Sequence, residues 1–222
     1  MVGVQAQAVV AVLTRAPSAG GKTRLFDALG MPFDPALLAA LLLDTLDGVA
    51  LPGVARAVLF TPPGAAEEIR ALVPPEVRLL AQREGDLGTR MRGAFDDLLA
   101  AGAHAVVLVG SDLPMIDASA IARALTTLRE RPGTVVIGPA DDGGYYLVGA
   151  TTTPAALFAE VPWGTADVLR ATMAAAARAR LPIVLLEPMA DVDTPDDLRV
   201  VREAAGPGGA RTRAWSASRV HG

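Results

Sequence analysis

Apolar and polar positions along the chain follow two alternating periods. Short runs rich in β-branched residues occupy 8–13, 54–60, 77–81, 105–110, 134–138, 145–149 and 183–186, with the length and content of strands buried in a sheet. Between them, segments rich in Ala, Leu and Arg at about 34–48, 64–72, 88–101, 117–130, 165–180 and 195–205 read as helices. Strand and helix take turns, which predicts an α/β fold with a mostly parallel sheet, helices on both faces and right-handed crossovers. Helix starts are marked by Asp117 or Ser119, by Thr165, and by Thr194 followed by Pro195 and Asp197. The most apolar stretch, ALLAALLLDTL at 36–46, is interrupted by Asp44 and is too short to cross a bilayer, so a buried helix is expected.

Periodicity is lost after residue 205, where GPGGARTRAWSASRVHG gains Gly, Ser and Arg. A single domain over 1–205 and a disordered tail over 206–222 are therefore expected. A chain of 222 residues with 51% hydrophobic content suits one well-buried domain. Net charge is -4 and no long basic stripe occurs, which argues against nucleic acid or an anionic membrane as main partner and leaves small molecules. The oligomeric state is left open. The chain has no cysteine, which excludes disulfides, thiolate nucleophiles and Cys-zinc sites. Of its two histidines, His104 is expected at the surface and His221 in the tail. No basic region precedes a cleavable apolar stretch, so a cytoplasmic location is expected.

Two aspartate motifs carry the candidate chemistry. Asp112, in VVLVGSDLP, follows an apolar run that Pro114 ends; Asp191 and Asp193 stand in DVDTPDDL. A carboxylate at the end of a buried strand is poorly solvated unless a turn, a cation or a metal ion compensates it. Ligands of open α/β sheets sit outside the carboxyl ends of the strands, and hard oxygen donors there suit Mg²⁺ or Mn²⁺ carrying a phosphate. In an extended segment Asp191 and Asp193 share a side-chain direction. Asp196 and Asp197 beside them need no role beyond the first turn of a helix.

The loop after the first strand, APSAGGKTRL, places Arg15, Lys22, Thr23 and Arg24 around Gly20 and Gly21, a phosphate-site composition. Residues 16–23 also satisfy a loosened P-loop pattern, although Pro17 removes a donor and Leu29-Gly30-Met31-Pro32 leaves a short helix; a basic surface loop is the plain alternative. QREGDLGTRM offers Gln82, Gly85, Gly88 and Arg90 to a base or ribose, or is simply a turn leading into a helix. GPADDGGYYLVG presents Asp142, Gly143, Gly144 and Tyr145 as substrate contacts, with Tyr145 and Tyr146 facing opposite sides of their strand; a plain hairpin turn is the alternative. In VPWGTADVL, Trp163 closes over a ligand or caps the core, and Thr165 follows it.

In that order, GGKTRL, GDLGTRM, VVLVGSDLP, GPADDGGYYLVG, VPWGT and DVDTPDDL resemble a bacterial glycosyltransferase-A-like family, some of whose members are labelled arsenosugar-pathway glycosyltransferases. The resemblance covers about residues 8–204. The family is similar in turn to small nucleotidyltransferases, including phospholactate guanylyltransferases and molybdenum-cofactor guanylyl- and cytidylyltransferases. The resemblance implies a three-layer nucleotide-diphospho-sugar transferase fold, Rossmann-like, with a mixed, mainly parallel central sheet. It places Asp112 at the first metal position. Glycosyltransferases of this fold commonly show Asp-x-Asp where this chain has Asp112-Leu113-Pro114, so Asp191, with Asp193 as runner-up, is the candidate to complete the metal shell.

These readings imply metal-dependent transfer to a small-molecule acceptor, with Lys22 and Arg24 neutralising charge on the leaving phosphate. From a nucleotide sugar, a nucleoside diphosphate leaves; from a nucleoside triphosphate attacked at its α-phosphate, pyrophosphate leaves. The family label favours glycosyl transfer, and the cationic loop with Asp-x-Pro favours nucleotidyl transfer. A nucleotide-binding protein without chemistry is the reading from a different class.

Overall fold

Seven strands form where the apolar runs predict them: β1 (Ala8–Arg15), β2 (Ala55–Thr61), β3 (Arg78–Ala81), β4 (Ala105–Gly110), β5 (Val135–Pro139), β6 (Tyr145–Ala150) and β7 (Ile183–Leu185). They join in one sheet of order β3-β2-β1-β4-β6-β5-β7. All neighbours are parallel except β6, which runs antiparallel to both β4 and β5. The fold is thus the three-layer α/β arrangement with a mixed, mainly parallel sheet. These features come from a computed structural model that describes residues 7–219; His221 and the six residues before Gln7 lie outside it.

The central strands are apolar over most of their length because both their faces are covered. Val10, Val12, Val58, Phe60, Val107 and Val109 point into one layer, beneath α2 (Pro35–Gly48), α3 (Ala66–Leu72) and α5 (Ala118–Glu130). Ala11, Ala57, Leu59, Val106 and Leu108 point into the other, beneath α4 (Leu87–Ala100) and α6 (Val168–Ala179). A third apolar cluster lies beside α2, where α1 (Thr23–Ala28), α7 (Pro195–Glu203) and α8 (Ala210–Arg219) meet.

Caps fix several boundaries. Asp117 accepts from the Ser119 and Ala120 amides and starts α5, settling the choice between Asp117 and Ser119. Thr194 and Asp197 form a reciprocal capping box on α7. Thr165 does not cap α6, which begins at Val168 after Asp167; its hydroxyl donates to the Pro162 carbonyl instead.

The expected disordered tail is corrected by α8. Asp44, buried in the apolar α2, accepts hydrogen bonds from the Arg211 and Thr212 amides, the Arg211 guanidinium and the Thr212 hydroxyl. Trp215 is buried, and its indole N–H donates to Asp34. A segment that composition marks as solvated is ordered by one buried carboxylate and one buried indole. Among the described residues no helix is long and apolar enough to cross a membrane.

Candidate active site

β1 pairs with β2 on one side and β4 on the other, so the strand order reverses between β1 and β4. The crevice outside the carboxyl ends of those two strands is where an open α/β sheet takes a ligand. The loop after β1 and the Ser111-Asp112 turn after β4 both open there. A cavity of about 230 Å³ lies between Arg15 at the end of β1, Gly20, Gly21 and Lys22 of the loop after it, Leu38 and Leu41 of α2, and Asp112.

Two glycines and a lysine turn the first loop. Gly20 and Gly21 hold φ +81° and +152°, and a Cβ on Gly21 would stand 3.3 Å from Leu38. Lys22 itself holds φ 53°, a left-handed conformation that costs a side-chain-bearing residue about 1–2 kcal/mol relative to glycine. It is also the chain's only lysine, every other long cation being arginine.

The Lys22 ammonium stands among three carboxylates. Nζ lies 2.5 Å from Asp112 Oδ2, 2.5 Å from Asp193 Oδ1 and 4.0 Å from Asp191 Oδ2. One oxygen from each acid lies within 4.8 Å of the others. Arg24 reaches Asp193 at 3.8 Å from an almost fully exposed position, 91% accessible, so solvent screens it. Burial alone pulls the Lys22 ammonium down, but the charges and hydrogen bonds of Asp112 and Asp193 outweigh it and hold the group above its ordinary 10.5. Burial, then the neighbouring Asp112 charge, raises the Asp191 carboxyl from 3.8 to about 6, against the pull of Lys22.

These carboxylates are fixed by backbone contacts. Thr45 of α2, fully buried, donates to the Ser111 carbonyl at 3.1 Å and accepts from the Leu113 amide at 3.0 Å, bracketing Asp112. Gly48, one turn on, lies so close to Ile116 that an added Cβ would meet its carbonyl oxygen at 2.1 Å. The Val192 amide donates to the Asp112 carbonyl at 3.0 Å, which brings Asp191 and Asp193 to the same place. Thr45 was not singled out from the sequence; a Thr beside an Asp inside an otherwise apolar helix is the signal that could have found it.

Other sequence candidates fall elsewhere. The Gln82 side chain is buried, its amide donating to the Thr14 and Leu59 carbonyls, so it ties β1 to β2 rather than presenting its N–H groups to a ligand. Gly85 and Arg90 close on each other through Arg90 Nε and the Gly85 carbonyl, while Asp86 caps α4, which makes the segment a turn into a helix. Gly88 is a packing glycine: a Cβ there would meet the Phe158 carbonyl at 2.6 Å and the Trp163 indole at 2.7 Å. Tyr145 packs edge-on against Trp163, its ring centroid 6.2 Å away, and burial raises its phenol well above 10. Tyr146 faces the opposite layer, as the strand alternation requires, and donates to the Glu187 carbonyl. Asp142 accepts from the Gly144 amide, and Gly143 lies where a Cβ would meet the Ala166 carbonyl at 2.2 Å, so this turn docks onto the Trp163–Thr165 loop. Thr23, Thr165 and Asp142 are exposed.

The cluster suits a divalent metal by its chemistry. All three candidate donors are hard carboxylate oxygens, as Mg²⁺ and Mn²⁺ prefer, and together they outnumber the one ammonium between them. Lys22 holds one oxygen each of Asp112 and Asp193, so the ammonium and a divalent ion would compete for the same carboxylate charge. The P-loop alternative fits poorly: α1 spans only Thr23–Ala28, and Lys22 turns toward carboxylates.

The profile of a bacterial family described as "Uncharacterized protein conserved in bacteria (DUF2064)" matches residues 45–165. No curated protein matches the chain. A solved structure from Desulfovibrio desulfuricans G20, provisionally described as a nucleotide-diphospho-sugar transferase, is 31% identical; the match covers 95% of this chain and 94% of that one, with TM-score 0.84. Two others share the fold. A CMP:2-keto-3-deoxy-manno-octonic acid synthetase complexed with CTP has TM-score 0.57 at 16% identity, over 96% of this chain and 100% of that one. The 4-diphosphocytidyl-2C-methyl-D-erythritol synthase of Anaerococcus prevotii DSM 20548 has TM-score 0.56 at 10% identity, over 96% and 97%.

Proposed function

The chain belongs to the DUF2064 family, and we propose that it is a metal-dependent transferase that moves a sugar from a nucleotide-diphospho-sugar to a small-molecule acceptor. The observation that carries this reading is the meeting of Lys22 with Asp112, Asp191 and Asp193 beside a cavity at the β1–β4 switch point. The description of the 31%-identical Desulfovibrio relative supports the same chemistry.

Gly20, Gly21 and Arg15 line the space for the donor phosphates and nucleotide, and Lys22 and Arg24 supply the charge that meets them. Asp112, Asp191 and Asp193 would hold Mg²⁺ or Mn²⁺, which when bound neutralises phosphate oxygens. In the transfer, an acceptor hydroxyl bonds to the anomeric carbon and the bond from that carbon to the phosphate oxygen breaks. The nucleoside diphosphate leaves with the bonding electrons, and the hydroxyl proton is released to water. Lys22 stands where it can offset the charge that grows on the departing diphosphate, a preorganised electrostatic role that needs no covalent intermediate.

A second reading, nucleotidyl transfer from a nucleoside triphosphate, is favoured by one observation: the residue two beyond Asp112 is Pro114, after a buried Leu113, so the glycosyltransferase Asp-x-Asp is absent at that position after β4. Phosphorus NMR of the protein with Mg²⁺ or Mn²⁺, an array of small acceptors and either nucleotide sugars or triphosphates separates the two. A nucleoside diphosphate signal that Asp112→Ala abolishes supports glycosyl transfer, and pyrophosphate supports the second reading. Ligand-raised melting temperature without either product would instead mark a binding protein.

A further inference from the structure

The two halves of the candidate site come from opposite ends of the chain, yet one small core touches both. Leu25 and Phe26 follow Lys22 by three and four positions, Val192 stands between Asp191 and Asp193, and all three are buried in the third apolar cluster with Trp215. Trp215 lies on α8, outside every motif that suggested the site. Its ring meets Phe26 edge-on, centroids 6.3 Å apart, and its indole N–H donates to Asp34 at 2.8 Å. Asp34 caps α2, whose Leu41 belongs to the same cluster and lines the cavity beside Lys22. Arg219 lies over the Trp215 ring at 5.9 Å and pairs with Asp34 at 2.6 Å, closing a loop of contacts from α8 to α2. The other end of α8 is fastened by Asp44.

We infer that Trp215 is a positioning residue for this site: it seats α1, and with it Lys22, against the Val192 segment, so that the ammonium and the Asp191 and Asp193 carboxylates stay in register. α1 has only six residues and cannot hold its own orientation, since an isolated helix of that length is not stable in water. Its direction is therefore set by what Leu25 and Phe26 pack against. Remove the indole, and the cluster loses its largest side chain at the point where α1, α2 and α8 meet. Lys22, already in a strained left-handed conformation, is then free to relax away from the acids. The inference rests on the proposed function only in treating the cluster as a catalytic site, and its test needs no ligand.

Because Lys22 is the chain's only lysine, protein made with ¹³C,¹⁵N-lysine gives a one-residue side-chain spectrum. In the native protein at neutral pH the two ε-protons should be distinct, since the ammonium is held in one orientation. Trp215→Ala should merge them at the position of a freely rotating lysine, and Trp215→Phe, which keeps a ring against Phe26, should restore most of the separation. Phe95→Leu, placed in the core layer under α4, is the control for stability alone; it should lower the melting temperature yet leave the Lys22 signals in place. Folded Trp215→Ala with an unchanged Lys22 spectrum would overturn the inference, and so would collapse of the signals in Phe95→Leu. Should Trp215→Ala fail to fold, Asp34→Asn decides, since it weakens the seat of the indole while leaving the ring: narrowed ε-proton separation supports the inference and an unchanged spectrum overturns it. Loss of metal or nucleotide binding in the native protein, by contrast, would strike the proposed function and leave this result standing.

Discussion

Lys22 shows how one residue can be legible in sequence while its task is not. Its place in a Gly-Gly loop behind a buried strand is the composition expected of a phosphate site, but nothing in that pattern says that the ammonium rests among carboxylates. A compact ammonium with three donors fits between three acids where a planar guanidinium would not. Asp112, Asp191 and Asp193 were readable because a carboxylate after an apolar run must be compensated. For Gln82 and Tyr145, residue type tells that a polar tip needs a partner, but which way it turns depends on packing: the Gln82 amide turns to the Thr14 and Leu59 carbonyls, and the Tyr145 ring to Trp163. Asp191 carries the pH dependence. Its carboxyl is raised from 3.8 to about 6, so the folded protein without metal holds the extra proton between those values and loses stability as pH climbs through that window. Asp191→Asn should therefore melt higher than the native protein at pH 8, by a few degrees for a cost of roughly 1–2 kcal/mol after partial solvent screening, and should match it near pH 3.5. Melting curves at the two pH values check this; equal curves at pH 8 would refute the assigned environment.

Among the elements, the strands and main helices follow the apolar periods to within a few residues, because burial on both faces leaves little freedom in where they start. Three features escaped. The six-residue α1 is too short to carry a period, α6 starts three residues later than the Thr165 signal suggests, and α8 hides in a polar, glycine-rich segment. The sign of α8 lay elsewhere, in Asp44: an acid in the middle of an apolar helix needs a partner, and the partner is the start of α8. Thr45, its neighbour, shows what α2 does for the site. Thr45→Val keeps the shape but leaves the Leu113 amide and Ser111 carbonyl unpaired, at a cost of about 1–3 kcal/mol. The expected result is a melting temperature lower by roughly 3–10 °C together with weaker nucleotide binding, since Asp112 loses its bracket. A variant with native melting behaviour would show that α2 does not hold the Asp112 turn.

For the whole molecule, topology does most of the positioning. Reversal of strand order between β1 and β4 opens one crevice, the first loop and the Asp112 turn flank it, and the chain returns after β7 to add Asp191 and Asp193 through the Val192–Asp112 contact. The family profile covers 45–165 and so contains Asp112 but neither Lys22 nor the second acidic motif; the complete cluster exists only in the folded chain. A metal-dependent activity requires that this cluster accept a metal ion beside or in place of its internal cation. Calorimetric titration of Mn²⁺ into the native protein, Asp112→Ala and Lys22→Met at pH 7.5 measures this directly. Saturable binding to the native protein is expected, with a loss of at least about tenfold, ~1.4 kcal/mol, in Asp112→Ala, and tighter binding in Lys22→Met, where no ammonium offsets the carboxylate charge. No binding to the native protein, or equal binding by native and Asp112→Ala, would contradict it.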